Sequence, residues 1–183
     1  MPGRKIYIKF FAAVDENSIK LLLSTIENKM REGIRDFVLL ISSPGGNVFA
    51  ALSAYNFLKG APIAITTHNF GSIDSAAAVV FCAGSRRLSV PHARFLLHGV
   101  MSGFPQGVSL EEKQLEERLK SLKIDADNIA GVIAANTGKS EPDIQEAMRE
   151  RTTLNPEQAL EFGLIHEIKE PLFDAGAELI SIQ

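Results

Sequence analysis

Apolar positions along the chain change period several times, and each change marks an element. RKIYIKF (4–10) alternates apolar and polar residues and is rich in β-formers, the pattern of a strand. From Asp15 to Lys29 the apolar residues fall at Ile19, Leu22, Leu23 and Ile26, the spacing of an amphipathic helix with Asp15 as N-cap. DFVLLIS (36–42) is apolar almost without interruption, as in a strand covered on both faces. SPGG (43–46) breaks it, and residues 47–60 read as a helix capped by Asn47 and stopped by Gly60. APIAITTHNF (61–70) reads as another buried strand. Gly71 is expected to turn the chain, and 74–83 to form a short buried helix. RRLSV (86–90) and ARFLLHG (93–99) read as two short strands around Pro91.

The period then lengthens. Residues 110–136 predict a long helix, free of proline and ended near Gly138. Residues 141–149 predict another, with Ser140 as N-cap and Pro142 in its first turn. A short helix over 155–163 is capped by Asn155, opened by Pro156 and closed by Gly163. LIHEI (164–168) reads as a closing strand, and the residues after it carry no clear pattern. Strands alternating with helices predict an α/β fold with a mostly parallel sheet, whose ligand sites lie beyond the carboxyl ends of the strands. That rule brings three segments together: Ser43 to Gly46, His68 to Ser75, and the end of the strand carrying His98.

Composition narrows the partners. The 183 residues suffice for one core, and no linker, repeat or low-complexity segment divides them, so residues 1–183 are expected to form a single domain. A net charge of −3 with both signs mixed gives no basic block for nucleic acid or acidic lipid. The longest apolar candidate, 73–83, falls well short of the roughly 20 residues of a membrane span and carries Asp74 and Ser75. MPGRKIYIKFF lacks the apolar stretch of a signal peptide, and the single cysteine, Cys82, cannot form an internal disulfide. A cytoplasmic protein is expected, with no nucleic-acid or membrane partner, no cofactor and no metal.

A hydroxyl and a carboxylate, Ser75 and Asp74, stand at the mouth of the apolar segment 76–83. Nucleophilic acyl transfer needs a hydroxyl, a base within hydrogen-bond reach, and donors aimed at the developing oxyanion. Ser75 could be the hydroxyl and His98 the base. The N–H of Ala76 could be one oxyanion donor and an N–H of the Gly45–Gly46 turn the other, since glycine lets backbone approach a substrate closely. Taken singly, each has a commoner structural role: a serine at a helix start caps it, a glycine pair makes a tight turn, and a strand-end histidine packs.

Four ordered segments together carry a resemblance. LLISSPGGNVFAALSAYNFLK, GSIDSAAAVVFCAG, RRLSVPHARFLLHGV and NTGKSEPDIQEAMRERTTLNPEQALEFGLIHEI are similar, in this order, to segments of the proteolytic subunit of the Clp protease, in the Clp protease/crotonase superfamily. The resemblance runs from the first strand to about Ile168. It implies a fold of repeated β-β-α units with a protruding handle (about 99–137) whose helix interlocks two rings. It places Ser75 on the catalytic serine and His98 on the catalytic histidine, with Gly46 and Ala76 at the oxyanion hole. Gly45 and the segment Gly99, Val100 and Met101 fall where extended peptide substrate pairs with the chain. The implied activity is serine endopeptidase cleavage of peptides or unfolded proteins within a homo-oligomeric ring, a heptamer or a double ring.

The departures from the family pattern are specific. The family's catalytic aspartate follows a Glu-Arg pair, whereas here Glu150-Arg151 is followed by Thr152, so the third triad position holds a neutral residue. Glu150 and Asp74 are candidate substitutes, and a lysine base would have to come from Lys113, Lys120 or Lys123. Ala76 stands where methionine is common. The chain begins almost at its first strand, so engagement with an ATP-driven AAA+ unfoldase is not carried over, and ATP-independent or weak activity is expected. Two alternatives stay open: a non-catalytic ring or scaffold subunit, and a crotonase-like acyl-CoA enzyme, which the Ser75–His98 pair disfavours.

Overall fold

The computed structural model describes residues 4–103 and 106–183. Three parallel strands form the centre of an eight-stranded sheet: β1 (Lys5–Phe11), β2 (Asp36–Ser43) and β3 (Ala64–Asp74). The first half of β3 pairs with β4 (Arg86–Ser89) and its last residues with β5 (Arg94–Leu96), both parallel. β6 (Thr153–Leu154) runs antiparallel to β5, β7 (Glu167–Ile168) parallel to β4, and β8 (Glu178–Ile182) parallel to β1. The helices among the described residues are α1 (Glu16–Arg31), α2 (Val48–Gly60), α3 (Ala77–Phe81), α4 (Glu112–Thr137), α5 (Glu141–Arg149) and α6 (Pro156–Phe162). The mixed α/β architecture with a mostly parallel sheet is the one expected. None of these helices is long and apolar enough to cross a membrane.

Local chemistry explains the helix starts. Asp15 accepts from the Ser18 N–H at 2.8 Å while Ser18 Oγ accepts from the Asp15 N–H at 3.1 Å, a reciprocal cap on α1. Asn47, Ser140 and Asn155 cap α2, α5 and α6 by accepting from the N–H three residues on, and at Asn155 the cap is again reciprocal, with Gln158. α1 then buries Ile19, Leu22 and Ile26 against the sheet, at about 1.5–3 kcal/mol for each large apolar side chain. The main core includes Phe10, Phe37, Phe81 and Phe95, with Phe81 and Phe95 meeting edge-to-face at 5.5 Å. A smaller cluster, Tyr7, Val38 and Leu40, is covered by Phe70, Leu172 and Ala177. Arg87 is buried and donates to the carbonyls of Gly84, Asn136, Gly163 and Leu164, tying the ends of α4 and α6 to β4.

Several expected boundaries move. Gly71 does not turn the chain: β3 continues through it to Asp74, because β5 gives its last three residues a partner. A Cβ at Gly71 would meet Ser42 Oγ at 2.6 Å, beside a register shift between Ile41 and Ser43. The buried helix shrinks to Ala77–Phe81, and β5 ends at Leu96, so His98 stands two residues beyond the sheet. The closing strand shrinks to β7, because Leu164 and Ile165 are buried at the end of α6 instead. β6 and β8 were not anticipated.

Candidate active site

Ser75 sits in the sharp turn between β3 and α3, with φ of +57°. The left-handed region costs a non-glycine residue about 1–2 kcal/mol. Its N–H donates to the Leu96 carbonyl at 2.8 Å, and its own carbonyl accepts from Ala78 at 3.0 Å. Ala76 takes the N-cap position of α3, with no side-chain bond. The hydroxyl of Ser75 therefore does not cap the helix, which removes its commonest structural role.

The Gly45–Gly46 turn lies directly against this elbow. A Cβ on Gly45, whose φ is +83°, would stand 2.4 Å from the Asp74 carbonyl oxygen and 2.7 Å from Ser75 Cβ. Only a residue without a side chain fits. On the other side, Val14 N–H donates to the Gly45 carbonyl at 2.8 Å and Asn47 N–H to the Val14 carbonyl at 2.7 Å. This is a parallel bridge centred on Gly46, so the bonds to Val14 come from its neighbours and its own N–H points the opposite way.

His98 reaches the same place from the far side. The preceding residue, Leu97, is held by its N–H to the Thr152 carbonyl at 2.9 Å. His98 Nδ1 lies 2.7 Å from the Gly99 carbonyl oxygen. A carbonyl can only accept, so Nδ1 carries the proton and a neutral ring keeps its lone pair on Nε2. Gly46, Ser75, His98, Gly99, Val100 and Met101 line one cavity of about 90 Å³, closed by Val48 and by Ile129 of α4. Cys82, the thiol at the end of α3, is fully buried and its pKa is pushed up to about 12 by burial, which leaves it inert.

Thr152 is not part of that lining. Its carbonyl holds Leu97 and its N–H donates to Ala147 at 3.0 Å, so its backbone stands beside the histidine segment while the Gly99 carbonyl occupies Nδ1. Both Asp74 oxygens are engaged, one by Ser72 Oγ and one by Arg94 Nη2, each at 2.6 Å, which clamps β3 to β5. Glu150 is exposed at the end of α5, and Lys113, Lys120 and Lys123 are exposed on α4. The substrate-pairing loop anticipated over 99–107 runs without regular structure as far as Gly103, and residues 104 and 105 lie outside the described residues. A backbone acceptor such as the Gly99 carbonyl has no sequence signature. Ile129 had one, a place on the apolar stripe of α4. No group of three or more His, Cys, Asp or Glu among the described residues could hold a metal.

The family model described as Clp protease matches residues 5–171. An ATP-dependent Clp protease proteolytic subunit of Bdellovibrio bacteriovorus is 27% identical over 169 residues, covering 91% of this chain and 79% of the relative. Proteolytic subunit 3 of Rhodococcus jostii is 30% identical over 136 residues, covering 73% of this chain and 65% of the relative. Proteolytic subunit 1 of Rhodopirellula baltica is 29% identical over 160 residues, covering 86% and 67%.

Proposed function

The chain belongs to the Clp protease family, and from that premise we propose that it is a serine peptidase acting on extended peptides through Ser75 and His98. The observation that carries this reading is the shared cavity: a strained serine that caps nothing, a histidine whose free nitrogen is Nε2, and a glycine N–H turned away from its bridge to Val14. His98 Nε2 takes the Ser75 Oγ proton as Oγ bonds to the scissile carbonyl carbon. The oxyanion that forms is met by the N–H groups of Gly46 and Ala76. Collapse of the tetrahedral species breaks the C–N bond, and the departing amine leaves with the proton held on His98. Water, deprotonated by the same nitrogen, then hydrolyses the acyl-Ser75 ester. A serine-directed phosphonate tests the reading: it should label Ser75 in the wild-type chain and not in Ser75→Ala.

The third position sets the rate. The Gly99 carbonyl fixes the tautomer but carries no charge, so the imidazolium formed during attack is poorly supported. A carboxylate at about 4 Å would stabilise it by roughly 1–4 kcal/mol, or one to three powers of ten in rate. Because Thr152 is bonded to the residue before His98, Thr152→Asp is expected to raise kcat within that range. An unchanged kcat in a folded Thr152→Asp chain would show that the Gly99 carbonyl is sufficient. The neutral Thr152 also favours a second reading, a non-catalytic ring subunit, which phosphonate labelling of Ser75 would exclude.

Ring assembly belongs to the same proposal. Leu115, Leu119 and Ile124 on α4 are about half exposed, and Phe49 and Met101, which line one cavity with α4, are more so, apolar surface that a neighbouring copy would cover. α4 then acts as the handle between rings, and the peptide enters the chamber they enclose. Sedimentation velocity should give a heptamer or double heptamer, and a stable monomer at micromolar concentration would refute the assembly.

A further inference from the structure

Resting on the reading of Ser75 as nucleophile, the geometry points to Asp125 as the residue that selects substrate, favouring peptides with a lysine or arginine side chain beside the scissile bond. α4 turns Asp125, Ile129 and Ile133 onto one stripe at four-residue spacing, and all three are buried. Ile129 closes the cavity of Ser75 and His98. Asp125, one turn earlier, breaks the apolar stripe and lines a larger cavity of about 340 Å³ that shares Gly46, Val48, Val100 and Met101 with the first. A side chain adjacent to the scissile carbonyl can pass Gly46 toward Asp125 through a cavity that shares four lining residues with that of Ser75, whereas the cavity beside Lys123 and Arg149 shares two, Gly99 and Val100.

The carboxylate is available to it. Asp125 is only 9% exposed, yet among the described residues nothing donates to it and nothing forms an ion pair with it. Among the described residues no side-chain oxygen is sealed without a partner, so the unpartnered Asp125 oxygens keep some exposure, and the residue lines the cavity. A largely buried carboxylate with no partner is costly, and a cation entering the cavity offsets that cost. Arg118 lines the same cavity but is exposed at its rim, where Nη1 donates to Ser102 Oγ at 2.7 Å and to the Gly103 carbonyl at 3.2 Å.

Three diphenyl phosphonates carrying a lysine-like, a leucine-like or a glutamate-like side chain beside phosphorus read the pocket. In each, the Ser75 Oγ–P bond forms and one phenolate leaves. The lysine-like reagent should label the wild-type chain about tenfold or more faster than the leucine-like one, with the glutamate-like slowest. In Asp125→Asn the lysine-to-leucine ratio should collapse to about one, and in Asp125→Leu, which restores the apolar stripe, it should invert. A leucine-like preference in the wild-type chain, or a lysine preference that survives Asp125→Asn, overturns the inference and leaves the nucleophile reading standing. If no reagent labels Ser75, the nucleophile reading fails and this inference with it. If Asp125→Asn slows all three reagents equally and sediments as a smaller species, the carboxylate is an assembly contact and the inference is overturned.

Discussion

Ser75→Ala should abolish peptide hydrolysis, down to background, while the chain keeps its fold. The substitution removes one oxygen that caps no helix, and alanine meets the same backbone conformation at φ of +57°. Thermal unfolding should therefore stay close to the wild type. Ser75→Gly sharpens the test, because glycine adopts that conformation freely and should raise stability by about 1 kcal/mol while activity is lost. Full activity in a clean preparation of either variant would show that Ser75 is not the nucleophile. Loss of activity together with the fold in both would show only that the elbow is structural.

Gly45→Ala is expected to damage both stability and activity. The added Cβ would meet the Asp74 carbonyl oxygen at 2.4 Å and Ser75 Cβ at 2.7 Å, and neither is the flexible end of a side chain. Together with the left-handed φ of +83°, the overlap should cost about 2–4 kcal/mol. In a chain of this size that is on the order of 10 °C in Tm. Gly33 supplies the control, since its φ is +88° but a Cβ there meets nothing within 4 Å. Gly33→Ala should carry the backbone cost alone and keep its peptidase rate. Equal rates in the two variants would show that the turn does not position the serine.

What could be read in the sequence follows from which forces are local. β2 was legible because five of its eight residues, Phe37 to Ile41, form one hydrophobic run, and α5 because Ser140 and Pro142 punctuate its first turn. Gly71 was misread because glycine usually signals a turn, whereas here its missing side chain admits Ser42 across a shifted register. β5 fell short because pairing with β3 stops at Leu96, which a hydrophobic pattern running on to Leu97 does not reveal. At the candidate site, Ser75, His98 and Gly46 could be grouped from strand ends and spacing, and they do share a cavity. The partner of Nδ1 could not, since every residue carries the same carbonyl. Asp125 was written in the sequence as a charge inside an apolar stripe, but only the fold shows which cavity that stripe faces.

The pairing of β8 with β1 sets an order on how the sheet is completed. Ile6 to Phe10 find Phe37 to Ile41 soon after these are made, but their other edge waits for Glu178 to Ile182. Nearly all of the chain separates the two partners, so closing this edge is the least local step in the sheet and belongs late in folding. Until then β1 presents a row of unpaired N–H and C=O groups, open to any other extended segment. Arg4, which pairs with Glu178 once β8 arrives, meanwhile flanks that edge with positive charge, and neighbouring unfinished chains carrying the same charge repel each other there.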